Sequence, residues 1–282
     1  MYEGGDYSSS PAPVARVLQG ASRAPLGHHT TPAGAGVHPD SFIRPPKEVF
    51  VIPWSHIDTA QIPGGEGELR LMRRGAEFSI MLGNNELMNS RLSGSEQALA
   101  TLACARIRSR PASHILIGGL GMGFTLRAAL AALDPKARVV VAELVPAVVA
   151  WARGPMADVH GGSLSDPRVF IEETDVGRLI RSARASYDAI LLDVDNGPEG
   201  LTREANDGLY HTAGLHAARN ALRPGGVVAV WSSGPDRSFA QRLRRAGFGV
   251  EENKVRANGG RGGARHVVWI ATRTDSGAGK PA

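Results

Sequence analysis

The part of the chain that most constrains its fold lies beyond Pro111, where short apolar runs alternate with helical patterns. Strands are expected at 114–117, 138–142, 169–172, 189–192, 227–232 and 266–271. Runs such as Val139-Val140-Val141 and Ile190-Leu191-Leu192 lack the polar alternation of a half-exposed strand. They suit parallel strands covered on both faces. Helices are expected between them, at about 124–133, 146–153, 176–182, 209–222 and 238–246. Strand and helix in turn imply a doubly wound, mostly parallel α/β sheet.

Upstream the pattern changes. Val49-Phe50-Val51-Ile52, Leu69 to Arg73, Phe78 to Leu82 and Glu86-Leu87-Met88 are strand-like pieces punctuated by Gly75 and Gly83-Asn84-Asn85. They predict a small N-terminal antiparallel β element within 47–93. A helix is expected over 95–107, with Leu99, Leu102 and Ala103 at helical spacing and Ser93 or Ser95 as its cap. Residues 1–46 are rich in Ser, Pro, Gly and His without apolar periodicity, and are expected to be disordered. The α/β domain is expected over 94–273, with a flexible tail over 274–282.

Composition removes several function classes. A single cysteine, Cys104, excludes an internal disulfide framework and any multi-cysteine zinc site. It falls in an Ala-rich helical run, which predicts a small buried thiol. His28-His29 stands alone, so no metal is expected. No apolar run is long enough for a membrane helix, and the first residues lack a signal-peptide pattern. A cytoplasmic protein without a membrane partner is expected. The formal charge of +5 carries no basic stripe with interleaved aromatics, so nucleic-acid binding is not expected.

The chemistry gathers at the expected carboxyl ends of the strands. Ile115-Leu116-Ile117-Gly118-Gly119-Leu120-Gly121-Met122-Gly123 reads as a strand entering a glycine turn that opens a helix. Without Cβ atoms such a turn tightens and lets a nucleotide approach the backbone. Its G-x-G-x-G spacing differs from the G-x-G-x-x-G of pyrophosphate sites and suits an adenosine bearing an amino-acid-like arm. Glu143 ends the next strand, where an acidic residue can accept the ribose hydroxyls. Nicotinamide cofactors use the same feature, so Glu143 fixes a ribose rather than a cofactor. Glu173-Thr174-Asp175-Val176 follows the third strand, and Asp175 there reads either as a partner of the adenine amino group or as a plain helix cap. Gly118, Gly119, Gly121, Gly123, Glu143, Leu144, Thr174, Asp175, Val176 and Asp193 form the expected cofactor shell. Asp193 and Asp195 leave the fourth strand in Asp193-Val194-Asp195-Asn196-Gly197-Pro198. They are the expected catalytic pair, able to hold a cation, orient an amine or remove a proton. A turn without chemistry is the other reading of that segment.

From about Glu68 to Thr272 the chain resembles the spermidine synthase family of polyamine aminopropyltransferases and its methyltransferase-fold relatives. The resemblance rests on the glycine loop, Glu143, Asp166-Pro167-Arg168-Val169, the Tyr187-Asp188-Ala189-Ile190 strand leading to Asp193, and Leu222-Arg223-Pro224-Gly225-Gly226. It implies a Rossmann-like class I methyltransferase fold, with S-adenosylmethionine or its decarboxylated form as co-substrate and a small-molecule acceptor. It further implies a base and amine anchor at Asp193, ribose and adenine contacts at Glu143 and Asp175, and a homodimer paired through the N-terminal parts. Three positions depart from the family. Leu120 stands where an Asp anchors the aminopropyl amine, Asp193-Val194-Asp195-Asn196-Gly197 replaces Asp-Ser-Ser-Asp-Pro, and Ser95-Glu96-Gln97-Ala98 replaces the Tyr-His-Glu of the polyamine gate. A leucine cannot satisfy a buried ammonium. Methyl transfer from intact S-adenosylmethionine is therefore expected ahead of aminopropyl transfer, with a non-catalytic nucleoside-binding module as the other class. A nicotinamide-dependent oxidoreductase is disfavoured by the glycine spacing and Asp175.

Overall fold

Four short strands come first: β1 (Ser55–Gln61), β2 (Glu68–Arg74), β3 (Glu77–Leu82) and β4 (Asn85–Asn89), paired antiparallel in chain order. The computed structural model describes residues 52–64, 67–194, 208–260 and 262–274, all within one compact unit from Phe50 to Ala282. Leu69 and Leu71 of β2 with Phe78 and Ile80 of β3 are buried, which turns one face of this small sheet into the core. Helix α1 (Gly94–Arg106) follows and buries Leu99, Ala100, Ala103 and Cys104.

The main sheet is built from β5 (His114–Gly118), β6 (Arg138–Glu143), β7 (Val169–Glu173), β8 (Tyr187–Leu192), β9 (Leu222–Ser232), β10 (Phe248–Arg256) and β11 (Arg265–Arg273). Among the described residues its order is β10-β11-β9-β8-β5-β6-β7. The five strands from β7 to β9 run parallel, and β11 runs against both β9 and β10. Helices α2 (Phe124–Ala132), α3 (Pro146–Arg153), α4 (Ala157–His160), α5 (Val176–Ser182), α6 (Thr212–Ala221) and α7 (Arg237–Arg245) connect the strands.

Alternate residues of the central strands feed two separate cores. Ile115, Ile117, Val139, Val141 and Leu191 face α1, α2, α3 and the small sheet. Leu116, Val140, Ile190, Val228 and Val230 face α5, α6 and α7. Both sides of β8 are therefore dry, and all six of its residues are buried. Each such Leu or Ile contributes about 1.5–3 kcal/mol relative to exposure. The polar exception, Asp188, is 2% exposed and accepts hydrogen bonds from Arg110 Nη1, Arg223 Nη1 and the His114 N–H, each at 2.8 Å. The first Asp of the Tyr-Asp-x-Ile strand is thus a fastening at the amino end of the sheet. The second, Asp193, lies at the opposite end.

Several expected elements are corrected. Ile52 is not in a strand, residues 49–51 fall outside the described ones, and the first strand is Ser55–Gln61. It is almost wholly exposed, so it carries no apolar signal. β10 lies outside the expected strands; an edge strand in a run such as Glu251-Glu252-Asn253-Lys254 shows no core stripe. The helix expected over 209–222 divides: 208–210 is helical, α6 starts at Thr212, and Leu222 opens β9. Leu222 to Gly226 thus belongs to the strand, Leu222 pairing with Tyr187, and the register shifts before Ala189. Neither expected serine caps α1 through its side chain: Ser93 occupies the cap position without such a bond, and Ser95 lies inside the helix.

Candidate active site

From β5 the chain steps outward through β6 to β7, then returns to β8 on the other side of β5. That reversal opens a crevice at the carboxyl ends of β5 and β8, where ligands bind in sheets of this kind. The glycine loop fills the β5 side. Gly118 ends the strand and packs beneath Val176, and its carbonyl accepts the Asp193 N–H at 3.0 Å. Gly119 has φ +88°, and a Cβ there would lie 2.5 Å from the Asp193 carbonyl oxygen. Only glycine fits between the two strand ends. Gly121 lies against Met88, and Gly123 caps α2 over the ring of His160.

Glu143, at the end of β6, is 8% exposed. Its Oε2 accepts the Leu120 N–H and its Oε1 the Val145 N–H, both at 2.9 Å. Burial raises its pKa, and the backbone N–H groups of Val145, Leu120, Leu144 and Gly121 oppose that shift. The carboxylate thus ties the glycine loop to the loop after β6. Asp175 caps α5, accepting the Gly177 N–H at 2.9 Å and the Arg178 N–H at 3.1 Å, with Arg181 beside it at 3.1 Å. The cap reading describes what its oxygens do in this structure.

Two adjoining hollows occupy the crevice. The outer one brings together Gly119, Gly121, Glu143, Leu144, Thr174, Asp175, Val176 and Asp193. The inner one is walled by Glu96, Leu120, Gly123, Phe124, Asp193 and Trp231. Asp193, Gly121, Leu87 and Met88 border both. Of the expected shell, only Gly118 and Gly123 fall outside the outer hollow, one beneath the loop and one at the inner hollow. Asp195 lies outside the described residues. Tyr210 is buried, its hydroxyl donating to the Val194 carbonyl at 3.3 Å, and His211 is exposed.

The inner hollow holds a residue that sequence reasoning met only as a departure from the family. Glu96, in the first turn of α1, faces Asp193 across it. Burial pushes the Asp193 carboxyl up to about 7, the negative charge of Glu96 adds to the shift, and a 2.6 Å bond from the Thr125 hydroxyl opposes it. Glu96 is raised as well, by burial, while the Ser95 hydroxyl donates to its Oε2 at 2.7 Å. Among the described residues lining either hollow there is no lysine, arginine or histidine. The site is acidic, partly desolvated and suited to a cation.

No family model matches the chain. It is similar to polyamine aminopropyltransferase 1 of Streptomyces coelicolor, 32% identical over 155 residues that make up 52% of this chain and 28% of that protein. It is likewise 31% identical over 146 residues to the polyamine aminopropyltransferase of Prochlorococcus marinus, covering 49% of each chain. The matched stretch thus spans half or less of the length of these relatives. In structure it is similar to spermidine synthase from Thermotoga maritima, with a TM-score of 0.61 at 16% identity over 77% of this chain and 72% of that one. A probable spermidine synthase from Corynebacterium glutamicum aligns over 79% of this chain and 83% of that one, with a TM-score of 0.50 at 18% identity. Over part of its sequence the chain is thus similar to polyamine aminopropyltransferases, and in fold it is similar to spermidine synthases.

Proposed function

We propose that this chain is a transferase that carries the aminopropyl group of decarboxylated S-adenosylmethionine to a small amine. The observation behind this reading is the carboxylate pair of the inner hollow, Glu96 and Asp193, with no basic side chain among the described lining residues. An arm bearing a carboxylate would meet like charge there. At about 5 Å and an effective dielectric near 20, each like-charge pair costs roughly 3 kcal/mol. An arm or acceptor bearing only ammonium gains instead. On sequence alone Leu120 favours methyl transfer, because it removes an anion from the glycine loop. Glu96 returns an anion to the same hollow from α1 and so removes the reason for that preference.

The outer hollow fits the nucleoside half of such a donor. Gly119 and Gly121 leave the backbone open to close approach, Glu143 and Leu144 would meet the ribose, and Thr174, Asp175 and Val176 would flank the adenine. When bound, the sulfonium supplies a leaving group: its C–S pair stays on sulfur, the amine lone pair forms the C–N bond, and one N–H proton is freed. Asp193 borders both hollows, which supports a role in holding the acceptor nitrogen in line with the donor. Its carboxyl, pushed up to about 7, can also take a proton near neutral pH.

Calorimetry with purified protein tests the reading, using S-adenosylmethionine, its decarboxylated form and NAD. The decarboxylated form is expected to bind at least tenfold more tightly than the intact one. The opposite order would return methyl transfer to first place, and binding of neither sulfonium would refute a transferase of this kind.

A further inference from the structure

Behind the inner hollow a line of polar groups leads away from Glu96. The Ser95 hydroxyl is 2.7 Å from Glu96 Oε2 on one side and 3.0 Å from His266 Nδ1 on the other. Ser95 is 1% exposed, whereas His266, on β11, is partly exposed. The His266 ring packs edge-on against Trp231, centroids 4.7 Å apart, and Trp231 forms a wall of the hollow. The three polar groups thus run from the acidic hollow, past an aromatic wall, to the surface.

We propose that Glu96, Ser95 and His266 form a proton line that carries the proton freed from the acceptor amine out of the hollow. The inference rests on the amine-transfer reading above. The Glu96 carboxylate takes the N–H proton. Its O–H then donates to Ser95 Oγ, Ser95 passes its own proton to His266 Nδ1, and His266 releases one from Nε2 to water. Each group ends neutral or reset, and no other reactant is needed. In the resting state the direction is reversed, with Ser95 donating to Glu96 and His266 Nδ1–H donating to Ser95. Reversal takes a rotation of the Ser95 hydroxyl and a flip of the partly exposed His266 ring, which gives its Nδ1 proton to water and returns with a proton from water on Nε2.

Burial lowers the His266 pKa, which favours prompt release once the ring is charged. The neighbouring charges are Glu96 on α1, Lys254 and Arg256 flanking its cross-strand partner Val255, and Arg265 beside it. The three basic side chains are exposed, so solvent screens them. Ser95 and His266 act through Glu96 and are positioning residues. Neither borders the donor hollow.

Two measurements test this. The first follows the His266 ring by NMR through a pH titration of the full chain and needs no turnover. Two coupled steps are expected in the wild type and one step in Ser95→Ala. A single step, the same in both proteins, overturns the line. The second compares steady-state transfer of wild type, Ser95→Ala and His266→Asn, in which the amide keeps a donor toward Ser95 but cannot carry a proton. We expect kcat to fall at least tenfold in both variants with KM for the amine within twofold, and added imidazole to restore part of the His266→Asn rate. An unchanged kcat and pH profile in both variants would overturn the proposal. Coupled titration without transfer from any sulfonium donor would refute the transferase reading and leave the hydrogen-bonded line standing.

Discussion

Replacing Asp193 with asparagine removes a charge from the crevice while keeping the shape of the side chain and an oxygen for the Thr125 hydroxyl. In the folded protein this carboxyl sits at about 7, against an ordinary value of 3.8, chiefly because it is buried and secondarily because Glu96 faces it. An acid whose folded pKa is raised weakens the fold as pH climbs. Below 3.8 both states hold the proton and nothing is lost; the cost grows between 3.8 and about 7, and is complete above. At about 1.36 kcal/mol per tenfold change, that difference amounts to roughly 4 kcal/mol. Asp193 keeps part of its surface open to the hollows, and water there trims the figure to about 2–4 kcal/mol. Asp193→Asn is therefore expected to be more stable than wild type by that amount at pH 8, and no more stable at pH 3.5. Urea unfolding at several pH values measures this directly. A difference between the two proteins that does not vary with pH, or a variant less stable at pH 8, would refute the assignment of Asp193 as a desolvated site carboxylate.

The remaining expectations concern the walls around it. Gly119→Ala combines a positive φ with a Cβ 2.5 Å from a backbone oxygen and should cost about 2–4 kcal/mol, whereas Gly83→Ala, at φ +56° with open space around it, should cost about 1. Equal melting temperatures for the two would show that the strand ends do not touch. Glu96→Gln should lower the Asp193 pKa, moving the acid limb of the rate profile to lower pH, while raising KM for the amine and, with the proton acceptor gone, lowering kcat; an unmoved limb would separate the two carboxylates. Cys104, buried and pushed up to about 12, should resist a thiol reagent in the native protein and react on unfolding. Prompt labelling of the folded chain would contradict its place in α1.

The parallel strands were readable because burial on both faces leaves continuous apolar runs, as in Val139 to Val141 and Ile190 to Leu192. β1 and β10 left no such trace: β1 shows water nearly all its residues, and β10 alternates weakly at the sheet edge. Within the crevice, the glycine loop, Glu143 and Asp193 stood out because each follows a strand end at a fixed step along the chain. Glu96 did not, since its meeting with Asp193 depends on how α1 docks against the sheet, and no local spacing encodes that. His266 was hidden for the same reason, lying 171 residues from Ser95 along the chain. Asp175 was legible as to its place and open as to its use, because a helix cap and an adenine partner call for the same carboxylate.

The reversal of strand order between β5 and β8 also sets a sequence of events in folding. During synthesis β5, β6 and β7 can pair while β8 is still to come, for β8 begins at Tyr187 and β5 has ended at Gly118. Closing the β5–β8 seam needs a long loop to be drawn in, which is slow compared with local helix formation. Until then the glycine loop has no Asp193 carbonyl beneath it, and Glu96 has no partner across the hollow. On the proposed reading, a donor molecule would find its full set of contacts only after β8 has arrived, and its binding would then hold the seam shut and protect the sheet by mass action.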